Sequence, residues 1–519
     1  MSRQNFQSLL WCLVLIMLSS FTGKAQKRTF KATAVEYLVQ AGTILNGDRI
    51  EGYFFLNRTE ENKGRIFEFR LDLVDANLEP IGSLKLNESY GLNVRDIAYN
   101  GKYLAIEFMD NAPTGYTYGI SKRAVWVALY DSQGNEVTSK EIEFTLYDKN
   151  LFLGYTAENI TRKELVSAPD GFVNYSTRST GLGQKKVQPK ISFLPDGTEQ
   201  DEWTHLGREN QKMPVFATFL AADEQTLLSL TYAQILNSSR TYDLNVLGVD
   251  LKSGKELFYF DGLESAQHPV WVKKAFIQED EITLIGTYFF QNKDHDAYED
   301  AKGIFSIRLN RQGQILQQEF FANEELLSND ILVAKDHPDA LLHDIVIADI
   351  LRLTSGQIIM PVEIYRLKKN PKGTKNNLLI RDIYLLYLSE NLELLHSKRI
   401  DRRLEEKVYI GKFEKRYHTR DAVHEFDRNS YNYFKYGFSR PYQDGGWLVF
   451  LSKSEELENK KIVKTYFLDK ANLIENEIQL DDQESFFMVF PAVDDYLMVL
   501  EYIKADKELD VRLERIKTE

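Results

Sequence analysis

Short runs rich in Val, Ile, Leu, Tyr and Phe recur along the whole chain. Each is broken by a polar turn and answered by a second run of similar length, a pattern that predicts β-hairpins throughout. In one version an apolar strand ends near an Asp or Asn, a turn with Gly or Asn follows, and the second strand is more polar. It begins at Ile66, Val125, Ile191, Asn245, Ile304, Ile383 and Thr465. More apolar hairpins precede these, from Asp96, Glu164, Val215, Val272, Asp344 and Phe438, with a less regular first member from Tyr37 and a last from Phe486. Alternating apolar inner and half-polar outer hairpins, repeating every ~55 to 80 residues, are what four-stranded propeller blades write into a sequence. The expected fold is therefore all-β, a single β-propeller of eight blades by hairpin count, or seven if the irregular first unit is not a blade. Two stacked β-sandwiches, or a smaller propeller with a separate β domain, are the alternatives.

The last hairpin is followed by a single strand-like segment, LDVRLERI from Leu509, so its sheet lacks one strand. RTFKATA from Arg28 is the expected donor. Pairing of the N- and C-terminal strands would then close the ring and remove an open edge.

The first residues change the picture of where this domain begins. Arg3 precedes an apolar run from Leu9 to Leu18 and then SSFTGKAQ, the layout of a secretory signal peptide, with the small residues Gly23 and Ala25 predicting cleavage after Ala25. The run is too short for a membrane span, and no later stretch is long and apolar enough for one. Residues 1–25 are thus read as a leader and 26–519 as the propeller, soluble and not inserted in a membrane once the leader is removed. Cys12 is the only cysteine, which leaves the mature part without disulfide, thiolate metal site or thiol nucleophile. An exported chain without disulfides fits a bacterial envelope. Loss of Arg3 and Lys24 leaves 62 basic against 77 acidic residues, a balance that argues against nucleic acid as a partner.

The propeller register places the long connections on one face, where sites on rigid scaffolds tend to lie. The largest are insertions at about 321–343, expected to be partly helical, and at about 401–436. Beside them fall QNKDHDAYEDAK from Gln291 and LKKNPKGTKNN from Leu367. The stretch from Arg416 to Tyr442 gathers Arg416, Arg420, Arg428 and Arg440 with Tyr417, Tyr431, Tyr433, Tyr436 and Tyr442. Tyr supplies a flat apolar face with a hydroxyl and Arg a planar fork for carboxylate or hydroxyl groups, so this mixture suits a carbohydrate or an acidic peptide. It is the candidate binding segment, although aromatics packed over the blade ends would have the same composition. Asp294, Asp296, His418 and His424 are weak metal candidates: Tyr298 and Glu299 stand where a calcium loop needs a ligand and a glycine, and no histidine falls in an HExxH arrangement. No metal or other cofactor is predicted. Nucleophile elbow, phosphate loop and Ser-His-acid order are not legible, so no catalytic residue is assigned.

GVDLKSGKELF from Gly248 is similar to the blade motif of quinoprotein propellers, with Phe258 in place of Trp. It occurs once and is read as an ordinary hairpin without a quinone. In general layout, with Ala25-Gln26 at the leader's end, the chain resembles uncharacterised exported propeller-like families of Bacteroidota. The resemblance implies an envelope location, periplasmic first and extracellular second, and transfers no site residue. The functional expectation is a monomeric, non-catalytic module for a glycan or an envelope protein partner. The alternative is a propeller enzyme, such as a glycoside hydrolase or lyase, using carboxylates at the mouth of the central channel.

Overall fold

The computed structural model describes residues 26–516 except 32–34, 47–48, 64–65, 90–91, 111–114, 118–119, 123–124, 132–133, 143–164, 169, 180–186, 198–201, 210–214, 235–240, 266–269, 290–300, 323–343, 354, 369–375, 401–406, 411–434, 443–444, 454–460, 470–471, 480–485 and 504–507. Its strands form a succession of antiparallel sheets. The first holds β2 (Val35–Asn46), β3 (Arg49–Lys63), β4 (Ile66–Asp75) and β5 (Pro80–Ser89). In the second, β6 (Leu92–Tyr99) and β7 (Leu104–Asp110) pair on to β10 (Val125–Tyr130) and β11 (Glu136–Ile142), while β8 (Gly115–Thr117) and β9 (Ile120–Lys122) form a separate small hairpin. The third sheet has β12 (Leu165–Ala168), β13 (Gly171–Ser179), β14 (Val187–Pro195) and β15 (Trp203–Leu206). The fourth has β16 (Val215–Ala222), β17 (Thr226–Gln234), β18 (Thr241–Asp250) and β19 (Glu256–Phe260). The fifth has β20 (Val270–Gln278), β21 (Glu281–Phe289), β22 (Ala301–Asn310) and β23 (Ile315–Ala322).

In the sixth sheet the path β24 (Asp344–Ile347), β26 (Ile358–Lys368), β27 (Asn376–Leu388), β28 (Leu394–Ile400) is joined by β25 (Leu351–Arg352) and β29 (Lys407–Ile410). The seventh has β30 (Lys435–Tyr442), β31 (Gly445–Lys453), β32 (Lys461–Asp469) and β33 (Asn472–Gln479). The eighth has β34 (Phe486–Pro491), β35 (Tyr496–Ile503), β36 (Glu508–Arg515) and, as its fourth strand, β1 (Gln26–Lys31). First strands of neighbouring sheets adjoin, β2 with β6, β6 with β12, β16 with β20 and β34 with β2, whereas fourth strands such as β11 are exposed along nearly their whole length. The protein is an all-β propeller.

Every hairpin read from the sequence is present, and the N-terminal strand closes the last sheet, pairing from Gln26 with Leu513 to Lys31 with Glu508. The expectation of eight four-stranded blades needs one correction. Among the described residues seven sheets are four-stranded blades, the number held as the alternative, and the sixth sheet has six strands. Its added strands are pieces of interrupted ones. β24 and β25 both pair with β26, and β28 and β29 both pair with β27, so an inner and an outer strand are each split in two. Pro361, which has no N–H to donate to a ladder, lies at the break between β24 and β25, where Ala348 N–H bonds to its carbonyl at 2.9 Å.

The strands read as nearly unbroken apolar runs because both faces of each sheet are buried. Alternate residues serve different cores. From β3, Phe54 and Leu56 pack toward the second sheet, while Tyr53 and Phe55 pack toward the eighth. From β27, Tyr384, Leu386 and Leu388 meet the fifth sheet, and Ile383, Leu385 and Tyr387 face Tyr466 of the seventh. The core is therefore a series of interfaces between sheets, and no sheet has a stable fold on its own.

Polar bonds at one end of the strands tie neighbouring sheets together. Asn100 donates to Asp196 (2.5 Å) between the second and third sheets, and the Trp203 indole N–H donates to the Leu251 carbonyl (3.0 Å) between the third and fourth. Arg311 pairs with Asp223 (2.6 Å) between the fourth and fifth, and Arg308 donates to Asn391 (2.5 Å) between the fifth and sixth. The Tyr53 hydroxyl bonds the Pro491 carbonyl (3.1 Å) across the closing joint.

Candidate functional site

Antiparallel pairing sends the connections between first and second strands, and between third and fourth, to one end of the sheets and the remainder to the other. The first end is the latched one, and its connections are of two to seven residues. Every connection longer than seven residues leaves from the opposite end, including 143–164, 290–300, 323–343 and 411–434. Charge differs too. The connections at the turn end carry seventeen acidic against five basic residues. Asp131 and Asp223 of these connections, and Asp75 and Asp250 at the strand ends that lead into them, accept backbone N–H bonds from residues two to four positions on.

The two long insertions and the two segments beside them attach to consecutive sheets. Residues 290–300 join β21 to β22, 323–343 join β23 to β24, 369–375 join β26 to β27, and the stretch after β28 leads through β29 to β30. Of the candidate binding residues, Arg416, Tyr417, Arg420, Arg428, Tyr431 and Tyr433 lie outside the described residues, as do Asp294, Asp296, His418 and His424. The other three are on β30, the first strand of the seventh sheet. Tyr436 is opposite Phe450 near the loop end, Arg440 is opposite Trp447, and Tyr442 is opposite Gly445 beside the turn. Six residues of strand separate Tyr436 from Tyr442, about 20 Å at 3.3 Å per residue. The strand therefore brings Tyr436 to the loop end and carries Tyr442 to the turn end.

Charged groups not singled out in the sequence stand on or beside the first strands. A register shift between Val94 and Asp96 makes Arg95 the extra residue of a β-bulge, a device that re-aims a side chain. Its guanidinium, 7 % exposed, donates to Glu107 at 2.5 Å, and Glu107, 1 % exposed, also accepts from Asn174 of the third sheet at 2.6 Å. Asp96 accepts from the Leu165 N–H of the third sheet (2.9 Å). In the fifth sheet a similar shift at Val272 and Lys274 accompanies a reach across to the sixth, where the Lys274 ammonium donates to the Ile350 carbonyl (2.8 Å) and lies 3.5 Å from Asp349. The sequence signal was a charge inside an apolar inner hairpin, as in VRDIAY.

Buried hydroxyls follow the same logic between sheets. Tyr175 shares a 2.9 Å hydrogen bond with Ser229, and burial pushes its phenol well above the ordinary range. Burial also pushes Tyr387 up to about 12. Both are neutral at physiological pH; Tyr175 acts as a hydrogen-bonding group between sheets, and Tyr387 acts through packing, its ring stacked on His396 at 4.0 Å. Among the described residues no group of three or more His, Cys, Asp or Glu is placed to hold a metal ion, and no helix is long and apolar enough to cross a membrane.

A model of a family of unknown function (DUF6770) matches residues 6–517. No curated protein sequence matches the chain. Among solved structures, Sqt1 of Saccharomyces cerevisiae is similar at 10 % identity and a TM-score of 0.39, with 96 % of this chain and 100 % of that one covered. Polysaccharide lyase Uly1 is similar at 11 % identity and a TM-score of 0.44, with 95 % and 100 % covered. A prolyl endopeptidase is similar at 10 % identity and a TM-score of 0.41, with 91 % of this chain but only 54 % of that one covered.

Proposed function

The chain belongs to the DUF6770 family, whose function is unknown, and we propose that it is an exported envelope protein whose loop-bearing face binds a glycan without chemical change. One observation carries the reading. All connections longer than seven residues leave from one end of a scaffold whose other end is made of short turns tied sheet to sheet. A rigid body with variable-length loops on one face is the usual construction of a binding module.

The described carboxylates support binding over catalysis. Glu107 and Glu501 are the most buried acids, and each is held by an arginine, Arg95 and Arg512. Such pairing engages each carboxylate with a structural partner inside the sheets instead of presenting it to a substrate. Export rests on the leader-like residues 1–25, and the glycan on the Arg and Tyr residues of the stretch from Arg416.

A thermal-shift screen of residues 26–519 against calcium, zinc, EDTA and a polysaccharide panel tests the reading. A glycan at 100 times its dissociation constant is expected to add about 2.7 kcal/mol. Chromatography of the same mixtures should return the glycan intact. Shortened products would replace the binding reading by the hydrolase or lyase reading, and a screen without any shift would leave an envelope protein as the partner to seek. N-terminal sequencing of the exported form should begin at Gln26.

A further inference from the structure

Exposed large apolar side chains are confined to one kind of place. Among the described residues all seven lie on fourth strands, the outer edges of the sheets. Five of them share one position. Ile81, Val137, Leu257, Leu316 and Leu395 are each the second residue of a fourth strand, just after the turn, and each is the extra residue of a β-bulge. In the first sheet, for example, Leu73 pairs with Gly82 and Val74 with Pro80, which leaves Ile81 outside the ladder. A bulge re-aims its extra side chain and spoils the edge for pairing with a further strand. An edge guarded only against such pairing commonly carries a charge. Here the position holds Val, Ile or Leu in five sheets, and Leu316 and Leu395 are 53 % and 55 % exposed.

One exposed leucine is ordinary, but a repeat in register on adjoining sheets is not. The Gly313 turn of the fifth sheet presses on Phe258 of β19, and Arg308 of the fifth sheet donates to Asn391 in the turn of the sixth. Leu257, Leu316 and Leu395 therefore follow one another along the rim beside the turn end. An acid stands within two residues of four of the five positions, Glu79, Glu136, Glu256 and Glu393, against one lysine, Lys255. The turn end as a whole has seventeen acidic against five basic residues. A second copy of this chain would set acids against acids, and an anionic membrane would be repelled. We propose that this rim is a docking surface for a basic protein partner, which lays apolar side chains on the bulge residues and lysines or arginines beside the acids around them. The rim lies at the end away from the long loops, so the inference stands apart from the glycan reading.

The probe is a synthetic amphipathic helix of Leu and Lys, titrated into the full chain by fluorescence anisotropy beside two controls, one with Glu for every Lys and one with Ser for every Leu. The native chain should bind the Leu-Lys peptide and neither control. Leu257→Ser, Leu316→Ser and Leu395→Ser together should weaken binding about tenfold or more, since burial of even one leucine is worth about that factor. Thermal unfolding of this triple variant should stay near native, because the three side chains are exposed. Should it melt early, the single change Leu395→Lys takes its place with a loss of binding in the same direction, by repulsion of the basic probe. The proposal is overturned if the native chain does not bind the Leu-Lys peptide, or if the variants bind it as tightly as the native chain does. It is overturned equally if the Ser-for-Leu control binds as well, since attraction would then be charge alone. Dimerisation of the native chain that the triple variant loses, read by sedimentation, or binding to phosphatidylserine vesicles through the same leucines would also overturn it, by making the occupant a second copy or a membrane.

Discussion

Glu107 depends on partners from two sheets, Arg95 beside it and Asn174 across the joint. Removing one member strands the others: Arg95→Met should cost about 3–5 kcal/mol in urea unfolding, because it leaves a buried carboxylate unbalanced. Arg95→Met combined with Glu107→Leu should be much milder. Asp223 gives a pH signature. Burial alone would raise its pKa, but the Gln225 and Thr226 N–H groups and Arg311 together hold it below the ordinary carboxylate value. A depressed folded-state pKa stabilises the fold above the unfolded value and is lost as pH falls through the folded one. Asp223→Asn should therefore lower stability at neutral pH and match the native chain in strong acid, as thermal unfolding across pH would show. At this scale the sequence was least informative about the site. Arg and Tyr between Arg416 and Tyr442 declare a chemistry but not a geometry, and β30 spreads Tyr436, Arg440 and Tyr442 along its length.

Hairpins were the most legible element, because the turn between third and fourth strands repeats one solution. Asp75, Asp131, Asp250, Asn310 or Ser389 caps the turn, and a residue with positive φ follows, Gly134, Gly254 and Gly313 where space is short. A Cβ on Gly254 would meet the Trp203 ring at 2.5 Å, and one on Gly313 would meet Phe258 at 2.5 Å, so each turn presses on the outer strand of the preceding sheet. This is the physical content of the segment from Gly248: Phe258 docks the next turn. Gly313→Ala combines left-handed strain with overpacking and should cost about 2–4 kcal/mol, measurable as a lowered urea midpoint. Leu78 and Leu392 hold the same conformation (φ 66° and 63°) without being glycine, so a glycine rule alone misses their turns. The sixth sheet was less legible, because its strands are broken. Nothing in KVYI, four residues within a long insertion, marks β29 as the continuation of β28.

The whole molecule has two unlike ends, and closure by β1 ties the chain's first strand to its last. Ring closure was readable from arithmetic, since the last hairpin and one further strand leave a sheet short. The direction of the loops followed from the same register, since antiparallel pairing fixes which connections share an end. What occupies the loop end was not readable, because loop sequences are not bound by the period-two burial that makes strands recognisable. The central claim, that this end binds an envelope glycan, is tested most directly by calorimetric titration of the glycan found by screening into the native chain and into a chain with residues 411–434 replaced by a short Gly-Ser linker. The account predicts that the replacement melts as a folded propeller and loses at least about 1.4 kcal/mol of binding, a tenfold weakening. Equal affinity in both chains, with folding intact, would contradict it.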